Sequence, residues 1–408
     1  MTRDCNLHCP HCYEGHDPYW KGKRIDHEKF KTLLDTYIYQ RCVLSDNANA
    51  HINFHFHGGE VLLIDTKELK KDIEYIKKRR EFFPNIDISF QSNGVNLTDE
   101  LADYLASNGI YFGFSFDGYD NQRMSRSETE KLVKRLRYFH NTFGLRMGCL
   151  GVLSKRNIKY WIEDAKTLSD FVEGFGINVL ASMNDAEIPT AAELWDYWAY
   201  PTLSSLLTDD KFSERTINIY VNNILNQIIF GYIPIQEKTG CFDRVCGFGT
   251  NMTAINPDFE LGTCDKYLND GKYTKEKEYK VSLNQLDFLA VQQVNMVFKH
   301  YSRLFEISKK QGCTFCPMKW ACTGECQSYS LSKYGELKLN ESLCEVYKKI
   351  YAFIVDNWMD LAKNNWYRMP VSESNCKDVL CTTRDLLNRN NLRLEIINNN
   401  YKLVEKEK

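Results

Sequence analysis

Residues 51–94 read HINFHFHGGEVLLIDTKELKKDIEYIKKRREFFPNIDISFQSNG. In His51–His57 the apolar Ile52, Phe54 and Phe56 alternate with His51, Asn53, His55 and His57, the two-residue period of a strand. Thr66–Glu81 is amphipathic at helical spacing, and Ile86–Gln91 returns to the strand pattern. Strand, helix and strand in this order make a β-α-β unit, whose two strands lie parallel in one sheet. Working outward, the unit repeats. Further strands are expected at Ile110–Phe116, Met147–Leu153 and Ile177–Ala181, and further helices at His27–Gln40, Asp99–Ser107, Glu128–Phe143 and Tyr160–Phe171. The chain to about residue 185 is therefore expected to be α/β, a parallel sheet or barrel with its chemistry at the C-terminal ends of the strands.

Beyond this lie two helical, aromatic stretches (Leu194–Leu207 and Ile217–Phe230), a cysteine-rich and loop-rich region (236–350), a helix over 347–365 and a hairpin formed by 392–397 and 401–404. Three parts follow: 1–235, 236–350 and 351–408. A net charge of −2 offers no global attraction to nucleic acid or anionic lipid, so neither partner is expected. No apolar run is long enough to span a bilayer and no signal-peptide core opens the chain, so a cytoplasmic location is expected.

In a reducing compartment, clustered cysteines more often hold metal than pair as disulfides. Of the fifteen, three fall within eight residues and eight lie between Cys241 and Cys344, leaving Cys42, Cys149, Cys376 and Cys381 apart. The run Cys5-Asn-Leu-His-Cys9-Pro-His-Cys12 has C-x3-C-x2-C spacing. Three thiolates can hold three irons of a cubane and leave the fourth open, where the amino and carboxylate groups of S-adenosylmethionine (SAM) can chelate. The competing reading is zinc, with His8 or His11 completing four ligands. Some forty-five residues on, after a strand, comes Gly58-Gly59-Glu60. Its glycines would let a ligand approach the backbone closely, and Glu60 would place an acceptor for a cationic amine.

Together these motifs resemble the radical SAM superfamily. The resemblance implies a partial (β/α)6 barrel of the TIM type, with the catalytic cluster on Cys5, Cys9 and Cys12 and His11 beside the adenine. Gly58, Gly59 and Glu60 match the segment that binds the SAM amino group. Gln91-Ser-Asn93-Gly resembles the end of the family's third strand. Ser115-Phe-Asp117-Gly118, with Arg126, resembles the fourth-strand motif whose serine and arginine contact SAM. Two departures stand out. Val61 replaces a common proline, and with four residues before Cys5 the first barrel strand is expected to be short or missing.

The second cysteine group, Cys313-x2-Cys316-x5-Cys322-x3-Cys326 then Cys344, preceded by Cys241, Cys246 and Cys264, could ligate two cubanes or two zinc ions. Its spacing resembles the loop-rich SPASM domain of peptide- and protein-modifying radical SAM enzymes. By that resemblance one auxiliary cluster takes Cys241, Cys246, Cys264 and Cys326, and the other takes Cys313, Cys316, Cys322 and Cys344. With the first, this makes three 4Fe-4S clusters. Asp265 matches the aspartate that acts as base in the related anaerobic sulfatase maturases.

The function implied is reductive cleavage of SAM to a 5′-deoxyadenosyl radical that abstracts hydrogen from a peptide or protein side chain. The electron would come from a donor such as flavodoxin or ferredoxin. Maturation of a ribosomally synthesised peptide (crosslink, thioether or epimer) leads. Formylglycine formation in a sulfatase and radical dehydrogenation of a small molecule are the alternatives. No leader-binding domain precedes Cys5, so peptide recognition is expected in a separate protein or in the tail after 350. The alternating His51, Asn53, His55 and His57 read as a polar barrel lumen or, alternatively, a metal site.

Overall fold

β1 (Ile52–Phe56) buries Ile52 and Phe56 and turns Asn53 and His55 outward, as its alternation requires. The computed structural model describes residues 1–178 apart from 13, 15, 16 and 45, residues 187–230 apart from 209–211 and 213, then 253–262, 281–282, 313, 316, 318, 340–364, 392–397 and 400–405. β1 pairs in parallel with β2 (Ile86–Ser92), and β3 (Tyr111–Ser115), β4 (Met147–Val152) and β5 (Val172–Asn178) extend one five-stranded parallel sheet in sequence order.

The linking helices are α1 (His27–Ile38), α2 (Thr66–Arg80), α3 (Asp99–Ser107), α4 (Arg126–Phe143) and α5 (Trp161–Lys166). Side chains of Asp26, Asp65, Thr98 and Ser125 accept the first free backbone N–H groups of α1 to α4, which fixes where each helix starts. Their apolar faces meet one face of the sheet in a core where the Phe56 and Phe90 rings stack at 4.8 Å.

The opposite face is polar along β1 and β2. His55 Nδ1 lies 2.8 Å from Ser89 Oγ, whose hydroxyl donates to Asn53 Oδ1, and His51 Nε2 lies 2.8 Å from Asp87 Oδ2. The alternating histidine strand is thus the polar wall that its pattern suggested. Farther across, Gly113, Gly148 and Gly174 stand side by side on three neighbouring strands.

The structure departs from the sequence reading at two places. The expected strand Ile177–Ala181 is β5, five residues earlier, and the expected helix 160–171 ends at Lys166. Gly174 and Gly176 hid this strand, because glycine weakens strand propensity in isolation. Pairing of Gly148 with Gly174 and Leu150 with Gly176 decides it. The helix expected at 347–365 is two: α9 (Glu341–Asp356), capped by Asn340, and α10 (Trp358–Lys363). The first barrel strand is short, as expected: among the described residues the five-stranded sheet is extended beyond β1 by one parallel bridge between Thr2 and Gly58.

α6 (Ala191–Leu194) runs through a π-helical turn into α7 (Tyr200–Ser205), and α8 (Arg215–Phe230) packs on β5 and α9. A small antiparallel sheet is formed by β6 (Ala254–Ile255), β7 (Glu260–Gly262) and β8 (Val281–Ser282). The expected tail hairpin is present as β9 (Leu392–Ile397) with β10 (Asn400–Glu405).

Candidate active site

The site is assembled at the C-terminal end of the sheet, starting from the first four residues. The Met1 amino group donates to His57 O, Gly59 N–H donates to Thr2 O at 2.9 Å and Glu60 N–H to Asp4 O at 2.7 Å. The chain leading into Cys5 therefore lies directly on the Gly-Gly-Glu segment. A Cβ on Gly58 would stand 1.7 Å from Thr2 O, and one on Gly59 2.2 Å from Asp4 O. Gly58 also has φ of 149°, open to glycine at little cost. The close approach expected of these glycines is thus made by the protein's own backbone.

Glu60 is fully buried, and its carboxylate accepts from Leu62 N–H (2.8 Å), Ser92 Oγ (2.7 Å) and Asn93 N–H (2.6 Å). Burial raises its pKa, with the Asn93, Leu62 and Ser92 donors opposing. Asn93 Nδ2 then donates to Asn6 Oδ1 (2.7 Å), between Cys5 and Cys9. The three motifs that the sequence shows thirty or more residues apart are one hydrogen-bonded unit.

Within the cysteine loop, Cys12 N–H donates to Cys9 O (3.0 Å) and Leu7 N–H to Cys5 Sγ (3.4 Å). Burial pushes the Cys5 thiol up to about 11 and raises Cys9 as well. Burial thus favours the neutral thiol at Cys5 and Cys9, and a bound cation is what would make them thiolates. Among the described residues no three His, Cys, Asp or Glu side chains converge to hold a single ion. A zinc ion draws its sulfurs to within about 3.8 Å of one another, whereas each thiolate of a cubane binds its own iron. Three thiols carried on one loop are the donor set of a cubane with one open iron. His11 Nε2 points instead at Asp117, 3.3 Å from Oδ2.

Asp117, 2% exposed, follows β3 and accepts from Val152 N–H (2.7 Å) and from Arg123 Nε (2.5 Å). Burial alone would raise its carboxyl, but the Arg123 guanidinium and His11 outweigh that and hold the pKa at about 2. Asn157 Nδ2 fixes the loop by donating to Asp117 O and Val152 O. A small cavity opens between His11, Asp117, Gln122, Val152, Ser154 and Asn157.

Ser115, at the end of β3, accepts from Gln91 Nε2 (3.1 Å) on the polar face. Arg126 stands apart. Its side chain is 67% exposed and pairs with Glu130 at 3.2 Å, while Arg123, three residues earlier, turns inward to 4.0 Å from Cys9 Sγ. A signal for this was present in Ser125-Arg-Ser-Glu128, a capping box that places Arg126 in the outward first turn of α4. Nothing comparable marked Arg123 or Asn157.

Of the second cysteine group, Cys313 and Cys316 share a turn (Cys316 N–H to Cys313 O, 3.1 Å) and Cys344 lies on α9. Cys241, Cys246, Cys264, Asp265, Cys322 and Cys326 lie outside the described residues. Among the described residues no helix is long and apolar enough to cross a membrane.

Comparison with known proteins agrees with this geometry. Residues 1–168 match the radical SAM superfamily. The chain is 22% identical to the serine-type anaerobic sulfatase-maturating enzyme of Bacteroides thetaiotaomicron, covering 88% of each. It is 23% identical to the cysteine-type enzyme of Clostridium novyi (90% of this chain, 96% of the relative) and 21% identical to the radical SAM cyclopropyl synthase TigE of Paramaledivibacter caminithermalis (92% and 75%). The solved structure of native anSMEcpe with bound AdoMet superposes with a TM-score of 0.66 at 19% identity, covering 89% of this chain and 97% of that one. Residues 1–168 are accordingly a radical SAM domain, carried by an enzyme homologous to the anaerobic sulfatase-maturating enzymes.

Proposed function

We propose that this enzyme is a maturase that abstracts hydrogen from a side chain of a peptide or protein, with a ribosomally synthesised peptide as its leading substrate. The observation that carries the reading is the joining of Cys5–Cys12, Gly58–Glu60 and Asn93 into one unit at the C-terminal end of the sheet. Full-length kinship with maturases of two kinds, two sulfatase-maturating enzymes and a cyclopropyl synthase, supports a peptide substrate. Anaerobic sulfatase maturation is the second reading, favoured by those relatives and by Asp265 after Cys264.

Cys5, Cys9 and Cys12 would hold a 4Fe-4S cluster, which when bound with SAM supplies a 5′-deoxyadenosyl radical. The residues around it have separable tasks. Gly58 and Gly59 admit the strand that carries Cys5, and Glu60 braces that strand against β2. His11, beside the cavity with Ser154 and Asn157, would face the adenine. Ser115 and Arg126 would contact SAM, as the family motif implies, and Arg123 would stand beside the cluster ligand Cys9. The cysteines from Cys241 to Cys344 would hold two fully ligated auxiliary clusters in a domain spanning 236–350, suited to accepting the electron released when substrate is oxidised. Asp265 would be the base for the substrate proton. A flavodoxin- or ferredoxin-type carrier would supply the first electron.

The test is anaerobic reconstitution, then SAM, reductant and candidate peptides. The reading requires 5′-deoxyadenosine and a peptide that is either lighter by two hydrogens (crosslink or thioether) or of unchanged mass with an inverted Cα (epimer). An aldehyde trapped by hydrazide would identify formylglycine and the second reading. A 5′-deoxyadenosine yield that no peptide raises, but a small alcohol or sugar does, would overturn both.

A further inference from the structure

Arg123 is held in an unusual place. Its side chain is 16% exposed, Nη1 lies 4.0 Å from Cys9 Sγ, and Nε and Nη2 contact Asp117 Oδ2 and Oδ1 at 2.5 and 3.3 Å. Asp117 is in turn fixed by the Val152 N–H. Burying a guanidinium is costly without a partner, and Asp117 meets that need. Contact with Cys9 is not required for it. The pair is oriented with its positive end against the cysteine sulfur.

We propose that Arg123, positioned by Asp117, sets a fixed positive charge beside Cys9 and so raises the reduction potential of the cluster on Cys5, Cys9 and Cys12. The inference rests on the cluster reading of those cysteines. In the step concerned, one electron from a low-potential carrier takes the cluster from 2+ to 1+. No bond forms or breaks and no proton moves. With three thiolates the net charge goes from one negative to two, and a neighbouring cation favours the more negative state. Arginine keeps its charge at every working pH, so the effect does not switch off.

The test is an EPR-monitored potentiometric titration of the reconstituted full chain, using dithionite as electron source. A variant with Cys5, Cys9 and Cys12 changed to Ala supplies the background of any other clusters. Arg123→Gln is expected to lower the reduced-to-oxidised ratio at fixed potential about tenfold, a downward shift of about 59 mV for a one-electron couple. Arg123→Lys, which keeps the charge, is expected to lose less. Asp117→Asn, whose amide oxygen still accepts a hydrogen bond from Arg123 while the opposing charge is gone, is expected to move the midpoint the other way. A purely structural role would not give opposite signs. If Arg123→Gln binds full iron and titrates with the wild type, the proposal is overturned. Should Arg123→Gln fail to assemble, Asp117→Asn decides, and a midpoint unmoved or lowered overturns it. Wild-type protein with no reducible cluster above the background would instead overturn the cluster reading itself.

Discussion

Single residues decide how the cysteine loop is seated. Gly58 and Gly59 are obligatory because the backbone of Thr2–Asp4 occupies the space of their side chains. Gly58→Ala is therefore expected to cost about 2–4 kcal/mol, combining overpacking with a positive φ. Thermal melting and iron content together check this. Gly22 is the internal control: it has φ of 69° but nothing within 4 Å, so alanine there should cost only about 1 kcal/mol. Asp117 belongs to the same scale. Its carboxyl is depressed to about 2 from 3.8, so its contribution is complete above the unfolded value and fades only as pH falls through about 2. The Arg123 anchor is thus intact at every pH at which the enzyme can work.

At the scale of elements, helix starts carry much of the information. Ser125→Ala removes half of the α4 capping box and is expected to cost about 1 kcal/mol in a denaturant titration. α8 begins on a buried acid, Glu214, which accepts from Thr216 N–H (2.7 Å) and Ile217 N–H (3.2 Å). Burial outweighs those donors and pushes its pKa from 4.5 up to about 7. The folded state then holds a proton that the unfolded chain gives up. Stability falls as pH rises from about 4.5 to 7, and the full cost, on the order of 3 kcal/mol, persists above that. Glu214→Gln should accordingly gain on the wild type as pH rises from 5 to 8. A melting difference independent of pH would refute this account of the cap.

For the whole molecule, the decisive question is how many clusters one chain carries. Three cubanes require about twelve irons, and Cys316→Ala should leave about eight while SAM is still cleaved. Cys9→Ala should abolish 5′-deoxyadenosine formation altogether. Iron analysis beside product chromatography checks both. Docking between the small sheet and the N-terminal loop is a weaker matter. Asp258 takes a hydrogen bond from Tyr19 Oη (2.5 Å) and pairs with Lys23 (3.3 Å), but the ion pair is about one-third exposed on each side, so solvent screening leaves it little to contribute.

By itself, the sequence determined what depends on neighbours along the chain. Alternation at 52–56 and 86–92 set strands, caps at Asp26, Asp65, Thr98 and Ser125 set helix starts, and C-x3-C-x2-C with Gly-Gly-Glu marked the chemistry. Only the tertiary structure decided what depends on contacts through space. It showed that the Gly-Gly pair receives Thr2–Asp4, that Arg123 and not Arg126 reaches Cys9, and that two glycines of β5 are held in a strand by β4. Periodicity and spacing report local backbone geometry. Burial, charge pairing and sheet register belong to residues brought together from far apart, and no local pattern encodes which of two nearby arginines turns inward.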